Sequence, residues 1–346
     1  MTRPYPFLQP AFIDALATTG ATGVASGWTP LHLDDGDSWM PLYLKTHHQG
    51  EYVFDHGWAD AYARYGRNYY PRLVSAVPYT PVEGPRWRGP LPADAWQQIA
   101  ERVAEYRASS WHLLFADADS REALGDWPLI ARDACHFRWF NRGYRTFDDF
   151  LAALTSRRRK SIRKERQAIE VAGITVQQAT GSAIPSHWWP LFYRCYANTY
   201  LVRGQRPYLS AAFFQQLASS ALAEQLLLVL AFANDQPLAA AFYLFDEQRL
   251  YGRYWGALRD VSGLHFELCY YQGIAFCIEQ GLQQFDPGVQ GEHKILRGFE
   301  PVITRSLHWL AEPAFHQAVA DACQREAAMV ARYQEEARTL LPYREG

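Results

Sequence analysis

Seven of the ten residues from Arg157 to Arg166 are basic, in a 346-residue chain whose formal net charge is -2. A local block of cations in a near-neutral chain marks a place for one anionic group, not a field that steers whole polyanions. Arg158 shares a helical stripe with the apolar residues Phe147, Leu151, Leu154, Ile162 and Ile169, so it is expected to point inward or into a cleft. An inward guanidinium requires an anionic partner, and phosphate matches its fork. Arg163 belongs to the same segment. The alternative is a solvated basic face with Arg158 paired to an acid. A second candidate is Arg259-Asp260-Val261-Ser262-Gly263, placed just before a helical stripe. A helix start offers unpaired N–H groups and a positive dipole end, so Arg259 and Gly263 are phosphate-binding candidates; a plain surface loop is the rival reading. A third is the segment with Asp55, His56 and Asp60 beside Trp58 and Tyr62, whose carboxylates and rings could bind a polar acceptor or pack as an ordinary loop.

The elements that must hold these residues follow from periodicity. In the first half the patterns predict a helix over 11–17, strands over 28–33 and 39–46 joined at Asp34-Asp35-Gly36-Asp37, and an aromatic and acidic loop over 52–60. A strand over 72–77, a helix over 93–109 and strands over 111–116 and 136–140 complete it. The second half opens with one long helix over 147–171, then a strand over 174–178 and helices over 188–200 and 211–221. Three antiparallel strands follow over 226–232, 238–245 and 250–257, with polar turns between them. A helix over 265–280 carries a clean apolar stripe, a strand occupies 283–286, and a last helix over 312–340 packs on the outside.

The expected organisation is α+β: two tandem lobes, 1–145 and 146–346, each a mixed, mostly antiparallel sheet flanked by helices, with the basic helix opening the second. Hydrophobic residues make up 49% of the chain, enough for two interiors. No apolar run reaches the roughly eighteen residues of a membrane span, and the first residues lack a signal core. The five cysteines are scattered without metal-site spacing, so no metal and no disulfide framework are expected, and the compartment reads as reducing and cytoplasmic.

The run Phe285-Asp286-Pro287-Gly288-Val289-Gln290-Gly291-Glu292-His293-Lys294-Ile295-Leu296-Arg297-Gly298-Phe299 is the most specific stretch. Asp286, Gly288, Gly291, Lys294 and Phe299 resemble the pattern of the Fem-like branch of the GNAT superfamily. Gln290 to Lys294 is similar to the bacterial peptidoglycan biosynthesis/recognition N-acyltransferases. The basic helix with the following Ala172-Gly173-Ile174-Thr175-Val176, and the segments 50–62 and 69–85, resemble the same group, so the likeness covers most of the chain. The resemblance implies two GNAT-like lobes and transfer of an acyl or aminoacyl group to an amine by direct attack in a ternary complex. No Gly-x-Ser-x-Gly elbow argues for a covalent route.

For that chemistry His293 is the first candidate proton acceptor, because an unperturbed imidazole titrates near neutrality; Glu292 and Asp55 are the alternatives. Lys294 and Arg297, with Arg158, Arg163, Arg259 and Gly263, are candidates for donor or acceptor phosphates. Asp60, Trp58, Tyr62 and Asp286 are candidates for the acceptor. The donor implied is acyl-coenzyme A or aminoacyl-tRNA, and the acceptor a small-molecule or cell-wall-precursor amine. No heptad run of the length of a coiled-coil arm occurs. Two rival classes remain. With 12 Trp and 21 Tyr, an aromatic cleft could make a non-catalytic glycan-recognition module, and the basic helix could bind nucleic acid with a steep salt dependence.

Overall fold

The computed structural model describes residues 3–289 and 291–344, so Gln290 lies outside the described residues. The chain divides into two units, each discontinuous in sequence. Unit 1 holds the residues up to Pro6, His136–Val302 and the chain from Gln334 onward; unit 2 holds Phe7–Cys135 and Ile303–Tyr333.

In chain order, unit 2 begins with α1 (Pro10–Thr18), β1 (Trp28–Pro30), β2 (Leu33–Asp34), β3 (Trp39–Met40), β4 (Tyr43–Lys45) and α2 (His56–Arg64). It continues with β5 (Arg72–Ser75), α3 (Ala95–Glu105), β6 (Ser110–Leu113) and α4 (Ala118–Ala123). Strand β7 (Ile130–Phe140) carries the chain into unit 1, with α5 (Phe147–Ala153), α6 (Ser156–Val171), β8 (Ile174–Thr180), α7 (Trp188–Leu201) and α8 (Ala211–Ala218). Then come β9 (Leu226–Ala233), β10 (Gln236–Phe245), β11 (Arg249–Ala257), a helix α9 over 264–280 and β12 (Gln284–Asp286). Strand β13 (Glu300–Leu310) and the long α10 (Pro313–Thr339) complete the chain.

Each unit is a mostly antiparallel sheet with one parallel pair. In unit 2 the order is β1-β4-β5-β6-β13, and β5 and β6 are the parallel pair, joined through α3. In unit 1 the order is β8-β9-β10-β11-β12-β7, and β11 and β12 are parallel, joined through α9. A parallel pair needs a crossover, and a helix is its usual form. The strand beside the crossover is supplied out of turn in both units. The end of β13 pairs with β6 at Leu307↔Leu113, and the end of β7 pairs with β12 at Phe285↔Trp139. That exchange makes both units discontinuous. The division differs accordingly from a cut after residue 145: the chain leaves unit 2 within β7, and 303–333 return to it.

The core of unit 1 is β9 and β10, where Leu226 to Ala231 and Leu238 to Phe245 are buried. An unbroken apolar run fits a strand covered on both faces. Helix α7 lies so close to β11 that a Cβ on Gly256 would stand 1.8 Å from the carbonyl oxygen of Cys195. In unit 2, Ile99 and Val103 of α3 pack on Leu73, Trp111 and Leu113 of the sheet. Among the described residues no helix is long and apolar enough to cross a membrane.

Three expectations are corrected. The helix expected over 147–171 is two helices, because Leu154 is extended and the break is tied to the C-terminal segment: Thr155 N–H donates to the Pro342 carbonyl at 2.8 Å. The stripe therefore does not run unbroken, and Arg158 is only half-buried. The segment expected as a loop over 52–60 becomes α2 from His56. Strand β13, eleven residues long, has no counterpart in the sequence reading.

Candidate functional site

In unit 1, β11 and β12 run side by side for three residues, Arg249↔Gln284 to Tyr251↔Asp286. There β12 ends while β11 continues to Ala257. At this parting lies a cavity of about 100 Å³ lined by Gly252, Arg253, Tyr254, His265, Cys269 and Gly288, among others. Strands that part leave backbone groups without ladder partners, ready for a ligand's own polar groups.

Helix α9 forms one wall. After its first turn it widens at Glu267–Tyr271 to an i→i+5 turn, a local feature frequent at functional sites. The Leu268 carbonyl at this widening accepts from the Tyr243 hydroxyl. His265 meets Trp255 and Tyr270 edge-on, each at 5.2 Å between centroids. Burial, aided by the charges of His293, Lys294 and Arg297, lowers its pKa to about 4, so near pH 7 it is a neutral imidazole.

The loop after β12 is held by two opposite charges. Asp286 accepts from the Gly288 N–H at 2.9 Å, and the buried Lys294 donates from Nζ to the Gly288 carbonyl at 2.6 Å. Burial lowers the Lys294 pKa to about 8 against the opposing pull of Asp286. Arg297 is buried and fully engaged. It donates to Glu165 and to the Tyr271 hydroxyl at 2.9 Å each and to the His293 carbonyl at 2.8 Å, and lies 3.4 Å over the Phe266 ring. His293 is exposed, with Nε2 2.7 Å from the Tyr270 hydroxyl. Desolvation, then Lys294 and Arg297, hold its pKa below the usual value. Glu292 is exposed at the start of the same turn.

The structure thus brings Asp286, Lys294, Arg297 and His293 together around one loop, but puts His265, which sequence reasoning had not singled out, on the cavity wall. Its only signal was its place two residues after Gly263. Arg297 is not a free phosphate ligand, because Glu165 already neutralises it. Arg163 is exposed and paired with Asp148 at 2.8 Å. Arg158 has no carboxylate partner among the described residues. Gly263, with φ +82°, caps the start of α9, and Arg259 is exposed on the preceding loop. That loop and helix start could hold an anionic group of a donor.

In unit 2, Arg72 is buried between Glu51 and Asp55 and bonded to both. The Tyr69 hydroxyl donates to Asp55 at 2.7 Å. Beside them the Nδ1 atoms of His112 and His308 are 2.6 Å apart, and their Nε2 atoms meet Ser110 Oγ at 2.7 Å and Ser306 Oγ at 2.9 Å. Trp58 stacks over His112 and meets His308 edge-on at 4.9 Å. Burial is the main cause that lowers the His308 pKa to about 3 and holds that of His112 well below its usual value. Burial raises Glu51 to about 7 despite Arg72.

This network corrects the acceptor reading of the segment 55–62. Asp55 is bound by Arg72 and buried, so it is not available as a proton acceptor. Trp58 and Tyr62 lie one turn apart on the buried face of α2, and Asp60 is exposed on the other face, since two helical steps turn it by about 200°. Tyr62 stacks on Phe315 at 3.9 Å as part of the core.

A family model, FemAB-like, described as peptidoglycan biosynthesis/recognition, matches residues 1–345. None of the curated proteins matches the chain. Among solved structures, the fold is similar to that of L-PGS from Bacillus licheniformis, at 12% identity and TM-score 0.52 over 92% of this chain and 97% of that one. It is similar to the C-terminal domain of a protein described as a lysylphosphatidylglycerol synthetase from Agrobacterium fabrum, at 12% identity and TM-score 0.51 over 86% and 88%. FemX matches at 10% identity and TM-score 0.51 over 92% and 95%. At these identities the likeness is one of fold.

Proposed function

The chain belongs to the FemAB-like family of peptidoglycan biosynthesis/recognition proteins, and on that premise we propose that it is an N-acyltransferase that moves an acyl or aminoacyl group onto the amine of a cell-wall precursor. The observation that carries this reading is the cavity at the parting of β11 and β12, walled by a neutral, half-buried imidazole and by a loop that a buried lysine clamps. An acyl carbonyl can enter between the parting strands because a free backbone N–H there can donate to its oxygen. In the reaction the amine nitrogen attacks the acyl carbonyl carbon, a C–N bond forms, and the bond to the donor's sulfur or oxygen breaks. The attacking nitrogen becomes strongly acidic as it bonds, so even a weakly basic imidazole can take its proton. His265 takes that role, and the departing sulfur or oxygen receives a proton in turn. His293 and Tyr270 border it as a route outward: His293 stands 6.0 Å from His265 between centroids. Arg259 and the start of α9 would hold the donor's phosphates, and Lys294 ties down the Gly288 carbonyl on the cavity wall.

The donor class, acyl-coenzyme A or aminoacyl-tRNA, is decided by thermal shift. A ligand at about a hundred times its Kd adds roughly 2.7 kcal/mol to stability. A shift with acetyl-, malonyl- or longer acyl-coenzyme A identifies a thioester donor, and a shift with aminoacyl-tRNA alone identifies an ester donor. With the donor in hand, His265→Ala should lower transfer to a precursor-peptide amine by about 10²–10⁴, the usual worth of a positioned acid–base group. His293→Ala and Glu292→Ala should cost less. No shift with either donor class would remove the transferase reading altogether.

A further inference from the structure

The cavity wall continues outward to an exposed tip that has the chemistry of a membrane contact. From Val171 to Ala223 the sequence contains no Asp or Glu, although the chain has 36 acidic residues. Within this acid-free stretch Arg194, Arg203 and Arg206 are exposed, and none has a carboxylate partner among the described residues. Between them, at the end of α7, stand two consecutive aliphatic side chains in water: Leu201 is 60% exposed and Val202 71%. A run of tyrosine rings leads from the cavity to this tip. Tyr254, on the cavity wall, meets Tyr196 at 5.3 Å; Tyr196 meets Tyr200 at 5.2 Å, and Tyr200 meets Tyr208 at 5.5 Å. The tip is fixed to the cavity strand. Asn198 donates to the Ala257 carbonyl at 2.7 Å, and Thr199 donates to that of Trp255 at 3.0 Å.

We propose that the segment from Tyr200 to Tyr208 docks on an anionic lipid surface, with Leu201 and Val202 inserted among the acyl chains and Arg203 and Arg206 on the headgroups. Aliphatic tips flanked by cations, with tyrosines at the level of the headgroups, are what an interface between hydrocarbon and charged water accommodates. A polyanion such as tRNA would use the arginines, but it would leave the two aliphatic side chains in water. The rigid tie to β11 would hold the cavity at a fixed height above the membrane, where an acceptor anchored in lipid could reach it. The docking itself stands on this surface alone; only that last use rests on the acyl-transfer reading.

The experiment is co-sedimentation of the full chain with vesicles of phosphatidylcholine alone or mixed with phosphatidylglycerol. The wild-type protein should pellet with the mixed vesicles, less so as salt rises, and not with the neutral ones. Each arginine near a negative surface contributes about fivefold to partitioning, so Arg203→Gln with Arg206→Gln should weaken it about thirtyfold. Leu201→Ser with Val202→Ser should weaken it by about tenfold or more. Both pairs lie at the exposed end of α7 or on the loop after it, and an unchanged melting temperature certifies that each variant is folded. The proposal is overturned if the wild-type protein ignores anionic vesicles, or if the serine pair binds them as well as wild type. A serine pair that binds tRNA and vesicles alike, while the glutamine pair binds neither, would make this a polyanion site instead. Donor shifts at the cavity are read separately, so loss of vesicle binding with donor binding intact overturns the docking and leaves the transferase reading standing.

Discussion

Arg72, Lys294 and Arg297 are buried cations, and what surrounds each decides its use. Arg72 sits between two buried carboxylates, Glu51 and Asp55, so it neutralises charges that would otherwise repel each other. Replacing Arg72 with Met leaves both carboxylates buried without a counter-charge and should cost about 3–5 kcal/mol, read as a drop in the urea midpoint at unchanged slope. Arg297 is neutralised by Glu165 and so supports the Gly291–Phe299 turn from behind. Lys294 has no carboxylate within ion-pair distance among the described residues and spends its charge on a carbonyl oxygen. Replacing it with Met should free the loop at Gly288 and weaken donor binding more than it weakens the fold, a difference that paired titration and melting measurements would reveal. The basic residue types at 157–166 were plain in the sequence, but the carboxylates that occupy Arg163 and Arg166 come from α5 and α9. Side-chain pairing across elements has no periodic signal, so it was not legible.

At the scale of elements, close approach governs the site. The α7–β11 contact is made across a glycine, and Gly256→Ala would force a Cβ into the Cys195 carbonyl. Pushing helix and strand apart should cost about 3 kcal/mol and should also move Tyr254 and the cavity wall, so a melting scan and a donor titration should both show loss. The α5–α6 break is a second such place. It contains no proline or glycine, and the extended Leu154 pairs instead with Tyr343, while Arg344 N–H donates to the Ala153 carbonyl at 3.0 Å. Truncation after Leu341 should unpair the break, seen as faster amide exchange at Thr155 with the β9–β10 core still protected. Periodicity found α7, α9, β9, β10 and β11 because each buries a regular face. It missed the break because a partner nearly two hundred residues away makes it.

For the molecule as a whole, the His112–His308 pair couples stability to pH. One Nδ1 must carry a proton and the other must accept it, so at least one ring is neutral, and burial keeps the other neutral as well. Their folded pKa values lie below the unfolded value of about 6.5, His308 at about 3. Such groups contribute stability that is complete above pH 6.5 and is lost as pH falls toward 3. Glu51 acts in the opposite sense. Raised from 4.5 to about 7, it favours the fold below 4.5, and that contribution is lost as pH rises through 7. The two effects partly offset between pH 4.5 and 6.5. Stability should therefore fall slowly there and steeply below 4.5, and His112→Phe with His308→Phe should flatten the acid limb in urea midpoints measured across pH. Four elements of unit 2 meet in this network, from Glu51 and Asp55 before α2 to His308 in β13. It gives that unit a polar interior where unit 1 has the cavity.

The sequence by itself determined the α+β class, most of the helices and strands, the family likeness, and the charged and imidazole side chains that the loop from Asp286 to Phe299 brings together. Those follow from local causes: burial periods of two and 3.6 residues, turn chemistry, and a motif contiguous in the chain. Only the tertiary structure decided that β7 and β13 are exchanged between the units, that Asp55 is bound by Arg72, and that His265 rather than His293 faces the cavity. Each of these depends on residues far apart in the chain meeting in a water-poor interior. There an unpaired charge is too costly to stand, and the nearest opposite charge or imidazole, wherever it lies in the sequence, becomes the partner.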